Sequence, residues 1–331
     1  MRIPASQQRP VSDLRVALAR AGLRDDDPLA HTAAAAFPLR IPQAWLARIR
    51  RGDPHDPLLL QALPTAAECD VPAGYSDDPL AEEEFTPVPG LLHKYAGRAL
   101  LLCDGPCALR CRFCFRRGAG RRLPSGPGPA ALDYIRQRPD LHEVVLSGGD
   151  PLGMQPTALC ALLRELDAIG HLRRIRLHTR YPVTDPLRVD AQLVQCLGTL
   201  RSRCLVVLHA NHPRELGALC AGACARLRQA GVMLLCQSVL LRGINDRIGV
   251  LATLYERLGE LGIIPYYLHQ LDHVRGAAHF AVDDTHACRL VSALQASLPG
   301  YLVPRLVREI PGQTSKSNIR AVPPCANDAA C

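Results

Sequence analysis

The chain has 331 residues, 48% of them hydrophobic and 21% charged, with a formal charge of +8 carried almost wholly by arginine. That is long enough to bury a large core and too apolar for a disordered chain, and no run approaches the roughly 20 apolar residues that a membrane span needs. Lysine occurs only twice, as Lys94 and Lys316, so a lysine kept where arginine serves elsewhere points to a use for its amine.

Arg2, Arg9 and Arg15 are mixed with Asp13 and followed by Asp25, Asp26 and Asp27, with no apolar export segment, and the sequence reads as mature and cytoplasmic. Residues 11–21 and 41–51 carry helical patterns. Pro42 suits a helix start, and Trp45, Leu46 and Ile49 form an apolar stripe. Residues 68–89 are acidic and rich in turns, and read as an extended wrap on the main domain, with an ordinary linker as the alternative. Residues 1–95 are therefore expected to be a helical and extended region around a core.

From Gly97 onward short apolar runs recur at 99–103, 143–146, 175–178, 204–208, 232–237 and 263–268. Segments of helical periodicity lie between them, at 156–169, 186–197, 216–230 and 249–261. Six strand–helix repeats with continuous apolar strands predict an α/β fold with parallel strands, a partial (β/α)6 TIM-type barrel over 96–295; a flat doubly wound sheet is the alternative. In either fold the working residues belong at the carboxyl ends of the strands. Polar residues follow those ends: the cysteine cluster, Ser147–Gly148–Gly149–Asp150, His178–Thr179–Arg180, His209–Ala210–Asn211, Gln237–Ser238 and His269–Gln270–Leu271–Asp272. Residues 296–331 form a C-terminal segment that carries Lys316 and ends in a loose tail.

Fourteen cysteines in a long chain without an export signal fit a reducing compartment better than a disulfide framework. Cys160, Cys196, Cys204, Cys220, Cys224, Cys236 and Cys288 lie among apolar residues and read as core. Cys220 and Cys224 could share a helical face, but no third ligand completes a metal site. Cys69 stands alone, and Cys325 and Cys331 fall in the tail. Cys107, Cys111 and Cys114 are different. Spaced by three and then two residues, they can bind three irons of a cubane cluster and leave the fourth iron open for chemistry. A zinc site would need a fourth ligand that the local sequence lacks, and Cys103 reads as the end of a strand. Phe113, inside the last gap, can shield the cluster from water.

This spacing resembles the radical S-adenosylmethionine superfamily, and Ser147–Gly148–Gly149–Asp150–Pro151 looks like that superfamily's glycine-rich loop. The resemblance implies a [4Fe-4S] cluster on Cys107, Cys111 and Cys114. It also implies S-adenosylmethionine chelated to the open iron, met by Ser147, Gly148, Gly149 and Asp150, with Gln237 and His269 lining the nucleoside pocket. An external one-electron donor is implied as well.

Lys316 follows a Gly/Ser/Thr-rich turn, Pro311–Gly312–Gln313–Thr314–Ser315, which can bring an amine to an aldehyde cofactor without bulk; a surface lysine in a loop is the plainer reading of those residues alone. From about residue 90 to 318 the chain is similar to the lysine 2,3-aminomutase family. The likeness rests on Cys107–Cys114 with Phe115, Arg116 and Arg117, on Ser147–Pro151, on Gln237–Asp246, on Pro265–Asp272 and on Pro311–Lys316. It is closest to the members whose β-lysine is attached to elongation factor P. That likeness implies that Lys316 carries pyridoxal 5'-phosphate and is catalytic, that Arg116 grips the substrate carboxylate, and that Asp272 and Glu309 receive the distal ammonium of L-lysine. Glu309 stands where the family usually has aspartate, and His269 where the longer catabolic enzymes have tyrosine. The implied activity moves the α-amino group of lysine to the β-carbon.

A mutase for another amino acid such as glutamate is disfavoured, because a distal carboxylate would meet Asp272 and Glu309 as like charges. An arginine-rich RNA- or protein-binding module with a structural cluster is the reading of a different class. Arg116, Arg117, Arg121 and Arg122, and Arg173, Arg174 and Arg176, are modest clusters that scattered surface charge explains as well. The expected partners are lysine, the electron donor, elongation factor P with its lysyl-transferring enzyme, and a second copy of the chain, with no membrane and no nucleic acid.

Overall fold

The computed structural model describes residues 9–118 and 127–320; Arg2, Arg121, Arg122, Cys325 and Cys331 lie outside the described residues. Its centre is a nine-stranded sheet in sequence order: β1 Leu91–Tyr95, β2 Arg98–Cys103, β3 Glu143–Gly148, β4 Arg174–Thr179, β5 Arg203–His209, β6 Met233–Val239, β7 Ile264–His269, β8 Arg305–Arg308 and β9 Ser317–Asn318. β2 to β8 are all parallel neighbours, while β1 and β9 pair antiparallel at the two edges. Unbroken sequence order decides between the two expected folds. Every crossover steps one strand in the same direction, so right-handed connections put all the helices on one face and the sheet must curl around the other. The edges then approach each other: Lys94 and Tyr95 on β1 both bond Glu309, the residue after β8. A partial barrel is the result, and side chains close its seam.

The six expected strands are present. The sequence reading did not anticipate β1 or β8, whose ends are polar. Each of β2 to β7 is followed by an amphipathic helix, the longer ones with buried residues at helical spacing, such as Leu159, Leu162, Leu163 and Leu166 of Pro156–Asp167. Along the strands, residues buried beneath the helices alternate with half-buried residues that face the lumen. Ile175 and Leu177 alternate in this way with Arg176 and His178 on β4. Pro265 lacks an amide donor, and the β6–β7 register shifts at Cys236–Gln237, so that Gln237 pairs with Tyr267.

Three of the N-terminal helices begin on aspartate caps, two of them Asp–Pro pairs. Asp13 caps Leu14–Ala21. Asp27 caps Pro28–Ala36, a helix outside the two expected segments. Asp56 caps the single turn Pro57–Leu60. The helix expected at 41–51 shrinks to Gln43–Leu46, with Trp45 fully buried and its Nε1–H donated to the Leu58 carbonyl at 3.0 Å. The acidic stretch meets the loop after β7. Ser76 bridges to Val274, Tyr75 stacks on His273 with centroids 4.8 Å apart, and Arg275 pairs with Asp77. One apolar core joins Val11, Leu14, Trp45 and Leu58 to the barrel. Among the described residues no helix is long and apolar enough to cross a membrane.

Glu68 shows how far this stretch supports the centre. It is buried against Arg112 and Arg117, receiving Arg112 Nε at 2.8 Å and Nη2 at 2.6 Å, and both arginines belong to the cysteine loop. Glu68→Gln would leave two buried cations short of a counter-charge. We expect a loss of roughly 3–5 kcal/mol of unfolding free energy, read as a lower denaturation midpoint with unchanged m.

Candidate active site

The loop after β2 carries the three cysteines and is held from behind by the N-terminal region. The Arg110 amide bonds the Arg40 carbonyl, the Arg112 amide the Gln61 carbonyl, and Arg112 Nη1 the Phe37 carbonyl at 2.6 Å. These anchors turn the alternate residues outward and leave Cys107, Cys111 and Cys114 half-buried together. Burial pushes the Cys107 thiol well up and the Cys114 thiol to about 11, and the neighbouring cysteines add to both. Phe113 packs inward with Leu241, Ile244, Leu271, Val274 and Phe280 in a second apolar cluster. Cys103 is buried at the end of β2.

Among the described residues no three His, Cys, Asp or Glu side chains gather as a single-ion site. Zinc would require sulfurs about 3.8 Å apart around one ion, whereas a cubane takes each thiolate on a different iron. Three thiols on one loop are the donor set that a polynuclear cluster with one open iron would take.

The Ser147–Asp150 loop lies directly against this one. Gly148 has φ +107°, and a Cβ there would come within 2.9 Å of the Cys103 backbone; one on Gly149 would come within 2.1 Å of the Gly105 carbonyl. Glycine is required for the two loops to touch. Asp150 is buried, and protein donors occupy its carboxylate: Thr179 Oγ1 at 2.7 Å, the Arg180 amide at 2.8 Å and the Leu152 amide at 3.0 Å. Burial raises it to about 6 against those hydrogen bonds. Its observed work is to tie the end of β3 to the end of β4. Ser147 accepts from Arg116 Nη1 at 3.3 Å.

Charged groups converge on the lumen mouth from five segments. Arg116 forms a two-pronged pair with Glu82, at 3.1 and 2.7 Å. Glu309 holds Lys316, Lys94 at 2.9 Å and the Tyr95 hydroxyl. Burial would raise the Glu309 carboxyl, but the Lys316 charge and these donors bring it down to about 2. Asp272, after β7, is the opposite case. Burial lifts it to about 7, while Lys316 and Arg116 pull it down and Glu309 and Glu82 push it up. His178 and His269 are both held well below the usual histidine range, by burial first and then by neighbouring cations that include Lys316. The Nε2 atoms of both are buried without a partner. Lys316 Nζ lies 5.9 Å from the Tyr267 ring centroid.

Two neutral imidazoles with orphaned nitrogens, next to a lysine amine, form a polar recess that suits a cofactor with several acceptors. Arg116 lies two residues beyond Cys114, and its charge is felt at Cys107, Cys114, His178 and Asp272. Arg116 thus links the cysteine loop electrostatically to the recess at Lys316.

No family model matches the sequence. The chain is 45% identical over 284 residues to the L-lysine 2,3-aminomutase of Escherichia coli K12, covering 85% of this chain and 83% of that one. It is 41% identical over 315 residues to the protein of the same name from Haemophilus influenzae, covering 93% and 92%. The chain belongs to the lysine 2,3-aminomutase family. The Clostridium subterminale member is 38% identical over 83% of this chain and 67% of its own. Among solved structures, a radical SAM methyltransferase from Sphaerobacter thermophilus superposes with a TM-score of 0.47 at 21% identity, covering 66% of this chain and 68% of that one.

Sequence reasoning into the aminomutase site missed Glu82, Lys94, Tyr95 and His178 as members of the constellation. The scarcity of lysine was a usable signal for Lys94. Glu82 gave none, because it sits in an acidic run that reads as solvated surface. Of the expected residues, Arg116, Asp272, Glu309, Lys316 and His269 come together at the mouth. Gln237 is half-buried on β6, beside the register shift.

Proposed function

We propose that this protein is an isomerase that moves the α-amino group of L-lysine to the β-carbon, using a [4Fe-4S] cluster, S-adenosylmethionine and pyridoxal 5'-phosphate. One observation supports the reading: Arg116, two residues beyond Cys114, and Lys316 both act on the buried Asp272, with Glu309 bonded to Lys316. When bound, the cluster and S-adenosylmethionine supply a radical that takes hydrogen from the β-carbon, and pyridoxal phosphate supplies the conjugated ring through which the nitrogen crosses. Cys107, Cys111 and Cys114 would hold the cluster and Lys316 the ring. Ser147, Gly148 and Gly149 keep the two loops in contact at the cluster's edge, and Gln237 and His269 offer polar atoms to the nucleoside.

Arg116 presents a planar fork suited to the substrate carboxylate, which must exchange with Glu82 to reach it. Asp272 and Glu309 suit the distal ammonium, Glu309 through exchange with Lys94. A distal carboxylate would be repelled by both, which argues against glutamate as substrate. Elongation factor P as the acceptor of the product, and the external electron donor, rest on the sequence resemblance.

The test is anaerobic reconstitution with iron, sulfide and pyridoxal phosphate, then lysine, S-adenosylmethionine and a reductant, with products separated by mass and retention. β-Lysine is expected. Failure to form it in protein that holds both cofactors would overturn the substrate assignment.

Asp272 sets the pH response. Below about 7 its carboxyl is neutral and cannot pair with an ammonium; above that it is ionised. The value of kcat/KM for lysine, which reports the free enzyme, should therefore rise through about pH 7 and then level off. Asp272→Asn should flatten that limb and raise KM roughly tenfold or more, by loss of a charge-assisted contact.

A further inference from the structure

We propose that Arg180 is a positioning residue for the cluster, a buried guanidinium hydrogen-bonded to the Cys111 sulfur that raises the cluster's reduction potential. This rests on the reading that the cysteine loop carries a cluster, and adds which side chain sets how readily an electron enters it.

Arg180 follows β4 and reaches back to the cysteine loop. Its Nη1 donates to Cys111 Sγ at 2.7 Å, while Nη2 donates to Gln61 Oε1 at 2.6 Å and to Glu215 Oε2 at 2.9 Å. The other oxygen of Glu215 accepts from Gln61 Nε2 at 2.9 Å and from the Asn211 amide at 3.0 Å, and Asn211 Nδ2 donates to Gln61 Oε1 at 3.0 Å. Gln61, Asn211 and Glu215 are fully buried, and the guanidinium lies 4.9 Å from the Trp45 ring and 5.7 Å from the Phe113 ring. Nη2 is thus locked by a polar network, with two aromatic rings beside the guanidinium, leaving Nη1 aimed at one sulfur.

An added electron increases negative charge on the sulfurs, so a cationic N–H···S contact strengthens on reduction and favours the reduced state. Low local dielectric magnifies the effect, and the Glu215 charge, one bond further out, moderates it. Arg180→Met should therefore lower the potential, Arg180→Lys should lower it less, and Glu215→Gln should raise it.

The experiment is an EPR-monitored redox titration of reconstituted protein without substrate, with iron content measured in parallel. Arg180→Met is expected to shift the reduction equilibrium at least about tenfold toward the oxidised cluster, or about 59 mV for one electron. A second measurement needs no change at Arg180: protein grown with guanidino-15N arginine should show 15N hyperfine coupling to the reduced cluster that survives Arg116→Lys. An unshifted midpoint in Arg180→Met that retains its iron, or no such coupling, overturns the role of Arg180 and leaves the cluster assignment standing. Protein that assembles no iron–sulfur chromophore at all overturns both.

Discussion

Cys111→Ala is expected to strip the protein of its iron and take lysine turnover to background. The loop is built so that three sulfurs share one cluster, and two cannot hold three of its irons. The fold should survive the change. The Arg112 and Arg117 anchors to Glu68 do not involve Cys111, and Arg180 keeps Gln61 and Glu215 as partners when its sulfur acceptor is removed. Iron and sulfide content, the visible spectrum and turnover are the measurements, with far-UV circular dichroism as the check on folding. Cys196→Ala is the control. Cys196 is buried in the core, 3% exposed, and acts there as a small apolar side chain. It should cost on the order of 1 kcal/mol and lose neither iron nor turnover. Equal loss of iron in both variants would mean that the cysteine loop is not the cluster site.

The contrast between these two cysteines shows what the sequence made legible. Alternating apolar runs and amphipathic segments carried six βα units, because strands buried beneath helices need continuous apolar residues. The rim followed from the fold rule, since the polar residues that end each strand must face the same way. β1, β8 and β9 escaped because Leu91–Tyr95, Arg305–Arg308 and Ser317–Asn318 are short and carry polar residues, recognisable only once a neighbour pairs with them. The helix Pro28–Ala36 was announced by Asp27–Pro28, a cap and first-turn pair that the alanine run obscured. Contacts between segments far apart in sequence left no local trace. Lys94 and Glu309 are 215 residues apart, and Arg116 and Glu82 are 34 apart. The first pair forms where the ends of the curled sheet meet, the second where the N-terminal region lies against the cysteine loop.

Those two pairs also balance the charges of the site. A cavity that must accept a carboxylate at one end and an ammonium at the other would hold uncompensated buried charge before substrate arrives. Glu82 on Arg116 and Lys94 on Glu309 place an internal carboxylate and an internal ammonium at those two positions. On the proposed reading, substrate would exchange charge for like charge at both ends, and little new desolvation would be required.

Lys316→Ala is expected to abolish lysine turnover, a fall of roughly a thousandfold or more, while leaving iron content unchanged. Glu309 would still be held by Lys94 and Tyr95, so the loss would not follow from a freed buried carboxylate. Lys316→Arg separates the two things a lysine does here. Arginine keeps a cation on Glu309, but its delocalised guanidinium cannot form a stable carbon–nitrogen double bond with the cofactor aldehyde. If the role of Lys316 were only to neutralise Glu309, arginine would restore most of the activity. If the role is covalent, both variants fail equally. Borohydride treatment of protein loaded with pyridoxal phosphate should then fix the cofactor's mass on the tryptic peptide containing Lys316 in the unmodified sequence, and in neither variant. Turnover by Lys316→Arg, or a cofactor trapped instead on Lys94, would overturn the assignment, because only these two amines stand at the seam.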